Sequence, residues 1–62
     1  MKVYNGWILK IEGNELVVAG SNKIRGRHYY VLRGKNGVSS MDRDELVQGI
    51  NGGSIKYVGN SF

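Results

Sequence analysis

The chain has no cysteine and no proline, and among its 62 residues only one histidine, one tryptophan and five acids. Without cysteine there is no disulfide, and a single histidine without thiolates supplies no four-ligand zinc site, so both common staples of very small proteins are excluded. The longest apolar runs, such as residues 16–19, are far too short for a bilayer span or a signal-peptide core, which leads to the expectation of a cytoplasmic protein. Catalytic pairings are also scarce. His28 has no acid nearer in sequence than Glu15 and Asp42, Ser39 and Ser40 lack a nucleophile-elbow setting, and there is no GxxxxGK phosphate loop. A non-enzymatic role without metal or cofactor is therefore expected.

At this length one small β-rich domain, residues 1–62, is expected, because a module of this size buries only about 60% of the surface its unfolded chain exposes. With no staple available, self-association into a homo-oligomer is the expected source of additional stability. The net charge is +4, unevenly spread. Residues 1–41 hold seven cations and two acids, whereas Asp42, Asp44 and Glu45 sit together. A basic body of this kind attracts nucleic acid, nucleotides or an acidic protein surface.

Ten glycines punctuate short apolar segments, as in an antiparallel β-rich fold. In residues 3–12, Val3, Trp7, Leu9 and Ile11 share one parity, which predicts a half-buried first strand with Trp7 in the core. Gly13-Asn14 signals a hairpin; closed as a two-residue turn it sets Ile11 opposite Leu16 and Leu9 opposite Val18. That register also places Glu12 against Glu15, a like-charge pair costing from a few tenths to about 1 kcal/mol, which disfavours the tight form. Gly20-Ser21-Asn22 reads as a turn-rich break, followed by a basic connection and a third strand over residues 28–33. Asn36-Gly37 predicts a type I′ hairpin turn into a short strand at 38–40.

Asp42 is placed as a helix N-cap, with Glu45 closing a capping box and Met41 positioned to staple onto Leu46. The acidic cluster thus has a structural task at the positive end of the helix dipole. Leu46, Val47 and Ile50 form the apolar stripe, and Asn51-Gly52-Gly53 ends the helix. Gly49 inside it costs roughly 1 kcal/mol against alanine, so packing must hold this helix. Residues 54–58 read as a final strand. The resulting architecture is α+β: a small bent antiparallel sheet or partly open barrel, order β-β-β-β-α-β, with one short helix.

The last third of the chain, through Asp42, Glu45, Leu46, Ile50, Gly53, Ile55, Val58 and Asn60, resembles the tail of small uncharacterised proteins of bacteriophages and their Gram-positive hosts. The resemblance implies a phage or mobile-element origin. Such proteins are often inhibitors, decoys or sequestering agents acting in the host cytoplasm.

The functional signal lies at residues 23–35, KIRGRHYYVLRGK, with five cations and no acid. Lys23, Arg25 and Arg27 read as a flexible cationic arm, Gly26 lets backbone approach a phosphate, and Tyr29 or Tyr30 offers a stacking face, flanked by His28 and Arg33. Alternation sends Tyr29 and Tyr30 to opposite faces, so one face can use only one of them. The expected ligand is nucleotide-like: either a sequestered nucleotide signal or single-stranded nucleic acid. The competing reading is a protein-interaction module that inhibits a host enzyme or nuclease through a strand edge.

Overall fold

Tight turns set the register of the sheet. In the computed structural model, which describes residues 2–61, Glu12 and Gly13 take φ of 52° and 82°, and Arg25 and Gly26 take 51° and 80°. Positive φ at both central residues is the type I′ signature, whose twist matches that of the flanking strands. The first turn joins β1 (Trp7–Ile11) to β2 (Asn14–Ile24), and the second joins β2 to β3 (Arg27–Gly34). A third tight connection, Lys35 and Asn36, leads to β4 (Gly37–Asp42). There Gly37 rather than Asn36 takes the positive φ, 127°, so the expected type I′ turn on Asn36-Gly37 does not form.

The first hairpin also differs from expectation. Its turn is Glu12-Gly13, which pairs Ile11 with Asn14, Lys10 with Glu15 and Leu9 with Leu16. The expected register differs by two residues and keeps every apolar side chain on the same face. Charge separates the two registers: the observed one sets Lys10 against Glu15, and the alternative sets Glu12 against Glu15. Strand β1 is shorter than residues 3–12, because a β-turn precedes it. Trp7 N–H donates to the Tyr4 carbonyl at 3.3 Å, with Gly6 at φ 92°.

Gly20, Ser21 and Asn22 form no turn. They continue β2 as an eleven-residue strand paired with Val31, Tyr30 and Tyr29. Turn-favouring composition is overridden here by ladder pairing. The only break in β2 is a bulge at Ala19, between the Val18–Leu32 and Gly20–Val31 pairs.

After β4 the chain enters α1 (Arg43–Gly52) and returns as β5 (Ile55–Asn60), antiparallel to β1. The result is an open five-stranded antiparallel sheet of order β4-β3-β2-β1-β5, with α1 connecting its two edge strands. Asp42 Oδ1 accepts from the Asp44 N–H at 2.8 Å, and Gly53, at φ 87°, donates its N–H to the Ile50 carbonyl. Both helix ends are therefore capped.

Leu9, Val18, Leu32, Leu46 and Ile55 are the buried apolar side chains, one each from β1, β2, β3, α1 and β5. Burying a side chain of this type contributes about 1.5–3 kcal/mol, so each is a large share of a small core. Val3, Trp7, Ile11, Leu16, Tyr30, Met41 and Ile50 pack around them. Gly49 is required where it stands. A Cβ there would overlap Ile55 Cδ1 and lie 2.7 Å from Ile55 Cγ1, so the missing side chain lets β5 close against the helix.

Candidate anion-binding hairpin

The β2–β3 hairpin carries the basic stretch, and its pairing fixes which side chains share a face. Lys23 lies opposite His28 and Ser21 opposite Tyr30, on the face that continues into the core through Leu32. Tyr30 is half-buried and packs against that core. Arg27, Tyr29 and Arg33 belong to the other face, with Tyr29 half-buried and both arginines exposed. Arg25 and Gly26 are the turn itself. The eight expected site residues are thus contiguous in the hairpin but divided between two faces.

A flexible cationic arm is not what forms here. Residues 23–27 are strand, turn and strand, and Arg25 is held with φ 51° at the apex. Lys23, Arg25, Arg27 and His28 are all exposed. They offer point charges and hydrogen-bond donors with little loss of solvation, which suits phosphate capture.

Arg27 is engaged on its own chain. Its Nε lies 3.4 Å from Asp42 Oδ2, with the arginine side chain 69% exposed and the aspartate 20%. Sequence reading separated these two residues into a basic grip and a helix cap. The β3–β4 pairing joins them, because Asp42 stands opposite Tyr29, the next residue along on the Arg27 face. A shallow depression of about 300 Å³ lies at this junction, lined by Gly26, Arg27, His28, Asp42, Arg43 and Asp44. Its two carboxylates make it a poor seat for a bare anion.

A larger concavity lies elsewhere. An open groove of about 640 Å³ runs between the β1–β2 and β3–β4 turns, at the opposite end of β3 from the basic tip. Ile11, Leu16, Leu32 and Met41 contribute apolar lining, with Lys10 and Lys35 at its rim, and no expected site residue takes part. Leu16 packs so closely over Gly34 that a Cβ at that glycine would overlap Leu16 Cδ2. No group of three His, Cys, Asp or Glu residues that could hold a metal occurs among the described residues.

An aromatic cluster is the feature that sequence reasoning missed. Trp7 is half-buried and packs on the core as expected, but its ring centroid also lies 5.8 Å from Tyr4 and 4.9 Å from Tyr57, the latter edge to face. Tyr57 is on β5 and reaches Trp7 because β5 pairs with β1, a partnership that no local pattern announces. The available signal was the Asn5-Gly6 dipeptide, which marks the turn folding Tyr4 back beside Trp7.

The chain matches no protein-family model, no curated protein and no solved structure.

Proposed function

We propose that this chain is a non-enzymatic, phage-type binding protein that holds single-stranded nucleic acid on its β2–β3 hairpin. One observation carries the reading: Lys23, Arg25, Arg27 and His28 stand exposed around a tight turn that presents Arg25 at its apex. Tyr29 adds a ring on the face shared by Arg27 and Arg33. An extended strand is favoured over a free nucleotide because the depressions beside Arg27 carry Asp42 and Asp44, and one of them Glu45 as well. Along a strand, successive phosphates can meet separate cations and successive bases can meet a ring. Self-association belongs to the same reading, supported by two edge strands, β4 and β5, that have no further strand partner among the described residues.

The test is titration of a twelve-nucleotide oligothymidylate at several salt concentrations. Replacing Lys23 and Arg25 together with alanine should weaken binding and flatten the salt dependence by about 1.4 in log–log slope, as expected for two lost phosphate contacts at ~0.7 each. Thermal stability should change little, since both side chains are exposed. Unchanged affinity and slope in the double variant would overturn the hairpin reading.

A second reading, an inhibitor that docks on a host protein, is favoured by the β4 edge. Residues 37–40 are exposed there, and Val38 is 66% accessible. An extended partner segment can add to such an edge. Purified protein without 260 nm absorbance after denaturation, and without affinity for the oligonucleotide, would favour this alternative.

A further inference from the structure

The Tyr4, Trp7 and Tyr57 cluster has no part in the hairpin, yet it has the composition of a ligand site. Tyr4 is 57% and Tyr57 47% exposed, although both rings are held against Trp7. Rings serving only to fill the core would be covered; these present accessible surface in a fixed arrangement. Val58, next to Tyr57 in sequence and unpaired at the bulge between the Leu9–Tyr57 and Ile8–Gly59 pairs, is 49% exposed. Hydrogen-bonding groups adjoin the rings. Exposed Asn60 pairs with Trp7, exposed Asn5 lies in the turn between Tyr4 and Trp7, and the Ser61 N–H donates to the Gly6 carbonyl at 2.8 Å, tying the two segments together.

Charge identifies the class of ligand. The segments that supply the cluster, residues 2–11 and 54–61, contain Lys2, Lys10 and Lys56 and no acid. All three lysines are exposed; Lys2 precedes Tyr4, while Lys10 and Lys56 pair with each other on the opposite sheet face from Leu9 and Tyr57, with Glu15 across the ladder from Lys10. The acids lie away from the rings: Glu12 and Glu15 flank the far end of β1, and Asp42, Asp44 and Glu45 start the helix beside β4, the opposite edge of the sheet. Accessible π faces, carboxamides able to meet base edges and a locally basic surface are the combination that binds unpaired nucleobases on a phosphate backbone. A neutral sugar would use the rings and amides but gain nothing from the lysines.

We propose that Tyr4, Trp7 and Tyr57 form a base-stacking site for single-stranded nucleic acid, a second contact region that rests on the nucleic-acid reading of the hairpin. Trp7 is the sole tryptophan, so its emission reports on this site directly. Three probes are titrated: the twelve-nucleotide oligothymidylate, an abasic phosphodiester of equal length, and a neutral β-1,4-linked hexasaccharide. The expected result is that oligothymidylate quenches Trp7 and binds about tenfold tighter than the abasic chain, as stacking of a base predicts. Tyr57→Ser and Tyr4→Ser should each cost about tenfold in affinity, whereas Tyr57→Phe, which keeps the ring, should bind like the parent.

The possible failures are distinct. Equal binding of the base-bearing and abasic chains without quenching overturns the stacking site and leaves the hairpin reading intact. Quenching by oligothymidylate that persists unchanged in the Lys23→Ala/Arg25→Ala variant supports the stacking site and removes the hairpin. Quenching by the hexasaccharide alone overturns both in favour of a sugar platform.

Discussion

Arg27 and Asp42 are joined across the β3–β4 ladder, Nε to Oδ2 at 3.4 Å, while the other oxygen of the same carboxylate caps α1 through the Asp44 N–H at 2.8 Å. One side chain thus anchors the helix and restrains a cation of the basic hairpin.

The two tasks of Asp42 can be separated. Asp42→Ala should destabilise the fold by about 1 kcal/mol, within the usual ~0.5–2 for a lost N-cap, as read by urea denaturation. Asp42→Asn retains a capping oxygen and removes the charge, so stability should fall by less, a solvent-exposed pair being worth about 0–1 kcal/mol. Both variants should bind oligothymidylate more tightly than the parent, since Arg27 is released and a neighbouring negative charge is lost. Weaker binding by Asp42→Asn would mean that the carboxylate positions Arg27 for its ligand.

Arg25 occupies a left-handed position that asparagine tolerates better. Arg25→Asn should therefore raise stability by up to ~1 kcal/mol while lowering oligonucleotide affinity, moving the two measurements in opposite directions. Glu12→Asn, at the equivalent position of the β1–β2 turn, should give the same stabilisation with affinity unchanged or slightly raised. If Arg25→Asn binds as well as the parent, the apex cation is not a contact.

Gly49→Ala tests the packing of α1. Helix propensity alone predicts a gain of about 1 kcal/mol, but the new methyl would collide with Ile55, and overpacking costs typically ~1–3 kcal/mol. Net destabilisation is expected, partly relieved when Ile55→Val is added, since that change removes the Cδ1 atom in the way. A stabilised Gly49→Ala protein would show that β5 can withdraw from the helix without penalty.

Tyr29→Leu and Tyr30→Leu should affect different properties. Tyr30 packs on the core, so its loss should appear in denaturation. Tyr29 shares a face with Arg27 and Arg33, so its loss should appear in oligonucleotide affinity, by about 1–3 kcal/mol if it stacks on a base. Equal effects of the two substitutions on affinity would remove the distinction between the faces.

The clearest local features in the sequence were those whose cause is local. Asp42 before an apolar stripe and Gly53 after it define α1 without outside help, and the alternation around Leu9 and Leu32 leads directly to strands. Registers were harder to read. Moving the first turn by one residue changes the β1–β2 pairing by two positions, which leaves Leu9, Ile11, Leu16 and Val18 facing inward, so hydrophobicity cannot choose between the alternatives. Gly20, Ser21 and Asn22 misled because strand formation there depends on Tyr29, Tyr30 and Val31 across the ladder. The basic stretch was legible as composition, but its restraint by Asp42 and the gathering of Tyr57 onto Trp7 arise from pairings between distant parts of the chain.

The pairing of β1 with β5 has a consequence for how the protein is made. During synthesis, β1 through β4 leave the ribosome first and can zip as successive hairpins, each waiting only for its neighbour. The strand that pairs with the outer edge of β1 is the last of the five in chain order. Until β5 is released, the outer edge of β1 is bare, Ile55 cannot fill the space over Gly49, and the nascent sheet is open to pairing with another chain. Completion of the fold thereby waits for β5, and a ribosome stalled within α1 would display an unfinished sheet, a substrate for chaperones.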